Sequence, residues 1–257
     1  MSGQGQLNLP EMLKAMIQSQ HKWLGVTQNT TLAKHKRRIE NMLVKMNLLD
    51  LWSNRLGSTD VARKLIPEIY TDGIVSIHLA TFGLYKYANS CLRSQLENTL
   101  RLVYFFTHQV EFGWWSKGDE WYVSGIRNKD VWGEGYKYFE ELESIKKFEK
   151  LCGNRPGLFK GDRNVRALHK SLSKHVHSAA YFLQTRSHRI SPSYRMDEFS
   201  IWASNADRAF EHINELLAVG LLEEFKAMND PDRERILRVA VGKPHRDILK
   251  SLLKSNA

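Results

Sequence analysis

Helical periodicity is the sequence feature that most constrains the fold of this chain. Apolar residues recur at steps of three or four positions, the spacing that places them on one side of an α-helix. The clearest stripe consists of Val165, Leu168, Leu172, Val176, Ala180 and Leu183. Similar stripes follow residues 84–106 and 199–221. Only 6 prolines and 16 glycines occur in 257 residues, so long segments lack the residues that end helices. The sequence therefore predicts an all-α fold.

The order of the helical segments predicts how they are arranged. Consecutive helices joined by short connections become antiparallel neighbours, so we expect an antiparallel helical bundle over residues 76–228, with a break near Gly83. Residues 1–75 are predicted to form a helical extension before the bundle. Residues 229–257 are predicted to form short helices after it.

Two segments interrupt the helical pattern. The polar stretch Val26–Thr31 is predicted to connect one helix, over residues 9–24, to a second, over residues 32–49. The segment Val110–Gly135 contains four tryptophans and five glycines and has no helical period. It is predicted to form an aromatic-rich loop or a short hairpin that packs on the bundle. Alternatively, its tryptophans provide stacking platforms for single-stranded bases.

The charge of the chain favours a polyanionic partner. The formal net charge is +10 and the pI is about 9.5, which makes nucleic acid the first expectation and an anionic membrane surface the second. The densest basic run lies in the second predicted helix and contains Lys34, Lys36, Arg37 and Arg38. These side chains suit phosphate contacts, because each contact releases a counterion. A solvated helix face explains the run equally well.

Several function classes are disfavoured by missing motifs. Cys91 and Cys152 form no C-x-x-C pair, which favours a reduced, cytoplasmic location. There is no signal-peptide pattern at the N-terminus and no run of eighteen apolar residues, so no segment is expected to span a membrane, and a membrane is not among the predicted partners. The histidines at 169, 175 and 177 lack zinc-ligand spacing, and neither a P-loop nor a dinucleotide-binding pattern occurs. No metal and no cofactor are predicted.

Two polar stripes form the sharpest candidate site. Arg93, Glu97 and Arg101 follow one another at steps of four, and a second stripe consists of Arg166, Lys170, Ser173 and His177. If the two helices are neighbours, the stripes bring together an imidazole, a carboxylate and several cations. Metal-free RNA cleavage requires such a set, with an acid or base near the reacting oxygens and cations near phosphorus. A buried ion-pair network is the structural alternative.

These same segments resemble a known family. The segment Leu168–His177 is similar to the Y-x-x-L-S-x-x-V-H segment of divergent bacterial HEPN-like helical proteins. The segment Cys91–Glu97 resembles their R-x-x-x-E helix, and Tyr104–Phe112 resembles a segment that often follows it. The resemblance covers residues 85–183. It implies a HEPN-like helical bundle, often a homodimer, in a superfamily rich in ribonucleases of toxin–antitoxin and phage-defence systems.

The catalytic pattern of that superfamily is an arginine, four to six residues, and a histidine. Lys170 and His177 have this spacing, but lysine stands in place of arginine. A lysine cannot present the planar fork that arginine offers to a phosphate, so Arg93 and Arg166 are the candidates to supply the guanidinium.

The polar stripes predict a metal-independent endoribonuclease or RNA-binding effector, and the resemblance implies that it acts in a bacterial toxin–antitoxin or phage-defence system. The predicted catalytic residues are His177, Lys170, Arg93 and Glu97. The predicted phosphate-binding residues are Arg166, Ser173, Arg101, Lys34, Lys36, Arg37 and Arg38. RNA, a second copy of the chain and a protein partner from the same operon are the expected partners. The alternatives are a catalytically inactive interaction or scaffold module and a nucleic-acid-binding partner without chemistry.

Overall fold

The computed structural model describes residues 9–118, 137–161, 164–176 and 193–254. The described residues contain helices and no β-strand, which confirms the all-α class. In chain order the helices are α1 (Leu9–Met46), α2 (Leu49–Leu56), α3 (Asp60–Thr81), α4 (Tyr85–Thr107), α5 (Gln109–Ser116), α6 (Lys137–Glu141), α7 (Glu143–Cys152), α8 (Val165–Val176), α9 (Met196–Gly220), α10 (Leu222–Lys226), α11 (Asp230–Val239) and α12 (Lys243–Lys254).

The N-terminal segment forms one helix of 38 residues, so the predicted connection at Val26–Thr31 is wrong. The threonines in this stretch bond to the helix itself: the hydroxyl of Thr30 donates to the Val26 carbonyl at 2.8 Å, and that of Thr31 donates to the Thr27 carbonyl at 2.9 Å. Such bonds satisfy polar side chains inside a helix. Polar composition therefore did not end the helix here.

The helices α3 and α4 form an antiparallel pair. Their connection passes through Gly83 at φ +77°, a conformation that favours glycine, and the predicted break near this residue is confirmed. The hydroxyl of Ser76 donates to the Ala88 carbonyl at 2.8 Å, and the Asn98 amide donates to Asp72 at 3.2 Å. Ser76 lies later in α3 than Asp72, but its partner lies earlier in α4. The two helices therefore run in opposite directions.

The helix α4 lies at the centre of the described structure, where it packs against α3, α8 and α9. Its buried side includes Leu92, Leu96, Leu100 and Val103, which follow the predicted apolar stripe. The amide of Asn205 in α9 donates to Asn89 at 2.9 Å, and the Val103 side chain lies against Gly220 at the other end of α9. The helices α4 and α9 therefore run in the same direction.

One buried core joins the predicted extension, bundle and C-terminal helices. This apolar cluster extends from Ile39 in α1 to Leu252 in α12. The predicted boundary between residues 75 and 76 lies inside α3, because that helix continues through it to pack on α4. The boundary after residue 228 coincides with a helix start, where the side chain of Asn229 caps α11 by accepting from the Asp232 amide at 2.9 Å.

The first part of the predicted tryptophan-rich loop is helical. The helix α5 contains Trp114 and Trp115, and the ring of Trp115 lies 5.3 Å from that of Phe105 in α4. The expectation of a loop is therefore wrong for residues 110–116. Residues 119–136, with the remaining tryptophans of that segment, lie outside the described residues.

Candidate functional site

The helices α4 and α8 lie side by side and share a polar contact. The carboxylate atom Oε1 of Glu97 is 3.0 Å from Nε2 of His169. The remainder of α8 is anchored in the core, because Val165, Leu168 and Leu172 are fully buried. The two helices that the candidate site requires as neighbours are therefore adjacent, and an imidazole of α8 lies against a carboxylate of α4.

Two arginines of α4 surround the same carboxylate. The Nε atom of Arg93 donates to Glu97 Oε1 at 2.8 Å, and the Arg101 guanidinium lies 3.9 Å from Glu97 Oε2. Each arginine lies about one helical turn from Glu97, on either side of it, as the spacing predicts. Glu97 and His169 each expose 16% of their side chains, so the cluster reaches the surface but is largely shielded from water.

The charges around Glu97 determine its protonation and the tautomer of its partner. Burial alone raises the pKa of Glu97, but the hydrogen bond from His169 and the charges of Arg93 and Arg101 outweigh burial, and the pKa lies below its usual value. An ionised carboxylate only accepts hydrogen bonds, so Nε2 of His169 carries the donated proton. Glu97 thereby fixes the imidazole with Nδ1 as the acceptor nitrogen in the neutral form.

A polar chain links this cluster to α3. Arg101 donates to the side-chain oxygen of Asn98 at 2.9 Å, and the Asn98 amide donates to Asp72 at 3.2 Å. The pKa of Asp72 lies above its usual value, and burial is the main cause. Three helices are therefore connected through partly buried polar side chains. Ion-pair and hydrogen-bond networks of this kind can be structural as well as functional.

The predicted site residues divide into those that join the cluster and those that do not. Arg93, Glu97 and Arg101 are together at the α4–α8 contact. Arg166 lies elsewhere on α8, where its guanidinium donates to Glu140 of α6 at 2.7 Å. The Ser173 hydroxyl donates to the His169 carbonyl at 2.8 Å, within its own helix. The side chain of Lys170 is exposed beside His169. His177 lies outside the described residues.

His169 is the site residue that the sequence reasoning missed, because it was weighed only as a metal ligand. It lies at the border between the apolar and polar stripes of α8, where a side chain is partly buried. The sequence contains a pattern that could have indicated His169. Arg163 precedes it with five residues between them, which is the arginine–histidine spacing of the superfamily that this sequence resembles. Arg163 itself lies outside the described residues.

The basic run of α1 is divided between structural contacts and solvent. Arg38 pairs with Asp207 of α9 at 2.8 Å, and the Lys34 ammonium lies 4.4 Å from the centre of the Tyr194 ring. Lys36 is 77% exposed and reaches only Glu40, at 3.9 Å, and Arg37 is exposed. Of the four predicted phosphate-binding residues in this run, Lys36 and Arg37 therefore present their charges to solvent most openly.

Neither a metal centre nor an activated thiol emerges from the described part of the chain. No cluster of three histidine, cysteine or carboxylate ligands occurs there. Burial raises the pKa of both thiols, that of Cys152 to about 12, with nearby carboxylates adding to the effect. A high pKa disfavours the nucleophilic thiolate. Within the same residues, every helix is too short or too polar to cross a membrane.

Compared with known proteins, the chain matches no family model, no curated protein and no solved structure.

Proposed function

We propose that this protein is a metal-independent endoribonuclease whose site lies at the contact between α4 and α8. The observation that carries the proposal is the carboxylate of Glu97, which holds the His169 imidazole at 3.0 Å while two arginines lie within 4 Å of the same group. An oriented imidazole beside cations is the set that phosphodiester transfer without a metal requires.

The proposed reaction uses the 2′-hydroxyl of RNA as the nucleophile. The Nδ1 atom of His169 takes the hydroxyl proton while the 2′-oxygen attacks phosphorus. The bond from phosphorus to the 5′-oxygen breaks, and that oxygen takes a proton from water, whose hydroxide receives the proton from the imidazolium. The products are a 2′,3′-cyclic phosphate and a 5′-hydroxyl. Arg93, Arg101 and the exposed Lys170 supply positive charge to the negative phosphorane.

Two further observations support RNA as the substrate. The net charge of +10 favours a polyanion, and the cations Lys36 and Arg37 are available on the surface of α1. The resemblance to HEPN-like proteins adds the biological setting that we propose, a bacterial toxin–antitoxin or phage-defence system. It also suggests a homodimer and a protein partner from the same operon.

The test compares single variants for cleavage of a structured RNA in the presence of EDTA. We expect His169→Gln to lower the rate at least 100-fold, since removal of a general base costs about 10² to 10⁴ in rate. His78→Gln is the matched control, because His78 is exposed on α3, and it should cleave like the wild type. Loss of cleavage in His177→Gln with full activity in His169→Gln would move the site to His177 and contradict the proposed role of His169.

A second candidate function is a catalytically inactive module that binds nucleic acid or a protein. The observation that favours it is the number of contacts that Glu97 already makes. Its oxygens face Arg93, Arg101 and His169, and these contacts join two helices. In that case no RNA is cleaved under any condition. Glu97→Gln would then lower the stability of the protein and leave its affinity for RNA unchanged.

A further inference from the structure

The N-terminal half of α1 is an amphipathic helix that extends beyond the body of the protein. Its polar side carries Lys14, Gln18 and Lys22, which are exposed. Its apolar side carries Met16, Ile17 and Trp23, which are exposed by 51%, 44% and 49%. Single exposed apolar residues are ordinary, but here three of them share one helix face. That face has no cover in the described structure.

The uncovered face continues the side of α1 that packs on the body. Positions at steps of three or four run along this side: Met16, Gln20, Leu24, Thr27, Thr31, His35, Arg38 and Met42. Thr27, Thr31 and Met42 are buried, and His35 stacks on Phe199 at 3.9 Å. The exposed apolar side chains therefore point to the same side as the body of the protein.

The length of the projecting half of α1 suits a helical partner. The projecting half is about 27 Å long at 1.5 Å per residue, which matches one helix of similar length laid alongside it. A helix in a groove is one of the standard modes of peptide recognition.

The charge of α1 selects the chemistry of that helix. From Met12 to Ile39 the sequence contains no Asp or Glu and six lysines and arginines. Lys14 lies at the edge of the apolar face, and Lys34 and Arg37 lie where the face meets the body. A second copy of this chain would bring the same positive charges against them. An acidic helix would face them with opposite charge.

We propose that the projecting half of α1 binds an acidic amphipathic helix of a protein partner. Apolar side chains of the partner cover Met16, Ile17 and Trp23, and its carboxylates face Lys14 and Lys34. The inference does not depend on ribonuclease activity, because none of these residues belongs to the α4–α8 cluster.

The test measures binding of two designed 21-residue helical peptides to the full chain. Both carry leucine along one face; one carries glutamate and the other lysine at the flanking positions. We expect the glutamate peptide to bind at least tenfold more tightly than the lysine peptide. Ile17→Lys should weaken binding at least tenfold, whereas Ile201→Lys, at a position of similar exposure on α9, should not. Lys14→Glu with Lys34→Glu should reverse the preference, and the control Arg235→Glu should not.

Four results would overturn the proposal. They are equal affinity for the two peptides, binding to phosphatidylglycerol vesicles in place of the glutamate peptide, dimerisation of the chain that Ile17→Lys abolishes, and acrylamide quenching of tryptophan fluorescence that Trp23→Phe leaves unchanged. The last would show that Trp23 is already covered. Circular dichroism of each variant verifies that it is folded.

Discussion

Glu215 contacts two imidazoles although its side chain is almost completely buried. Its Oε2 atom is 3.1 Å from Nδ1 of His212, and its Oε1 atom is 2.7 Å from Nδ1 of His245. The other ring nitrogen of His245 lies 2.8 Å from the Pro156 carbonyl. Both ring nitrogens of His245 therefore face acceptors, which favours the doubly protonated cation. This bridge attaches α12 and the segment before α8 to the core helix α9.

The bridge determines how stability changes with pH. Burial raises the pKa of Glu215, but the bonds and charges of the two histidines outweigh burial and lower it to about 2. Burial lowers the pKa of His245, but Glu215, the Pro156 carbonyl and the charge of Glu149 raise it to about 9. The stabilisation by His245 is complete below its unfolded pKa of about 6.5 and is lost as the pH rises through 9. That of Glu215 is present above its unfolded value and is lost as the pH falls through 2.

We expect the free energy of unfolding to fall by about 3 kcal/mol between pH 6.5 and pH 9.5 because His245 loses its proton. Urea titrations at a series of pH values measure this change. In His245→Gln the decrease over the same range should be much smaller, since the titrating group is gone. Equal decreases in the wild type and the variant would show that His245 does not carry the effect.

At this scale the sequence predicted part of the candidate site. The four-residue spacing of Arg93, Glu97 and Arg101 was enough to place them on one face of α4. The contact with His169 depends on how α8 is rotated about its own axis, which the packing of Leu168 and Leu172 decides. Neither stripe alone therefore predicts this contact between residues 72 positions apart.

At the scale of helices, α3 depends on a close approach to α1 and α4. A Cβ atom added at Gly73 would lie 2.4 Å from Cε of Met46 and 2.4 Å from Nε2 of Gln95. The same Gln95 amide donates to the Ile69 carbonyl at 2.9 Å. No side chain larger than hydrogen fits at residue 73 unless these neighbours move. A glycine within a helix is thus explained by the packing of three helices.

Gly73→Ala should lower the free energy of unfolding by about 1 to 2 kcal/mol, because displacement of Met46 and loss of a buried hydrogen bond outweigh the roughly 1 kcal/mol gained in helix propensity. Gly25→Ala in α1 is the matched control, since an added Cβ there meets nothing within 4 Å. It should stabilise the protein by up to about 1 kcal/mol through helix propensity. Thermal unfolding of both variants measures the difference, and a neutral or stabilising Gly73→Ala would contradict the packing described here.

Whether a segment is helical was easier to predict than where its helix ends. The periodicity of buried residues such as Leu92, Leu96 and Leu100 carries over directly into α4. The end of a helix depends on local bonds, and in α1 the threonine hydroxyls bond to the preceding turn. Pro67 likewise lies inside α3, although a proline lacks the backbone N–H that a helix interior uses.

At the scale of the whole molecule, half of the net positive charge lies on α1. The helix has seven lysines and arginines and two glutamates, which gives +5 of the total of +10. Arg38 and Lys45 are held by acids of α9, Asp207 and Glu211. The charges that remain to bind a polyanion lie on the side of α1 that faces away from α9. Among them, Lys36 and Arg37 are neighbours in the sequence.

Lys36→Gln with Arg37→Gln should lower the salt dependence of RNA binding. If each residue neutralises one phosphate, the slope of log affinity against log salt falls by about 1.4 for single-stranded RNA. Fluorescence anisotropy between 50 and 300 mM salt measures the slope. Arg235→Gln with Lys243→Gln removes the same charge from the exposed surface of α11 and α12 and serves as the control. Equal slopes in the two double variants would show that α1 is not the RNA-binding face.

The most direct test of the proposed chemistry is the identity of the RNA ends that the protein produces. A defined RNA is incubated with the purified wild-type chain in EDTA, and the fragments are analysed by mass spectrometry. We predict 2′,3′-cyclic phosphate and 5′-hydroxyl ends, and at least 100-fold fewer of them from His169→Gln. Fragments with 3′-hydroxyl and 5′-phosphate ends, or cleavage that EDTA abolishes, would contradict a metal-independent site at Glu97 and His169.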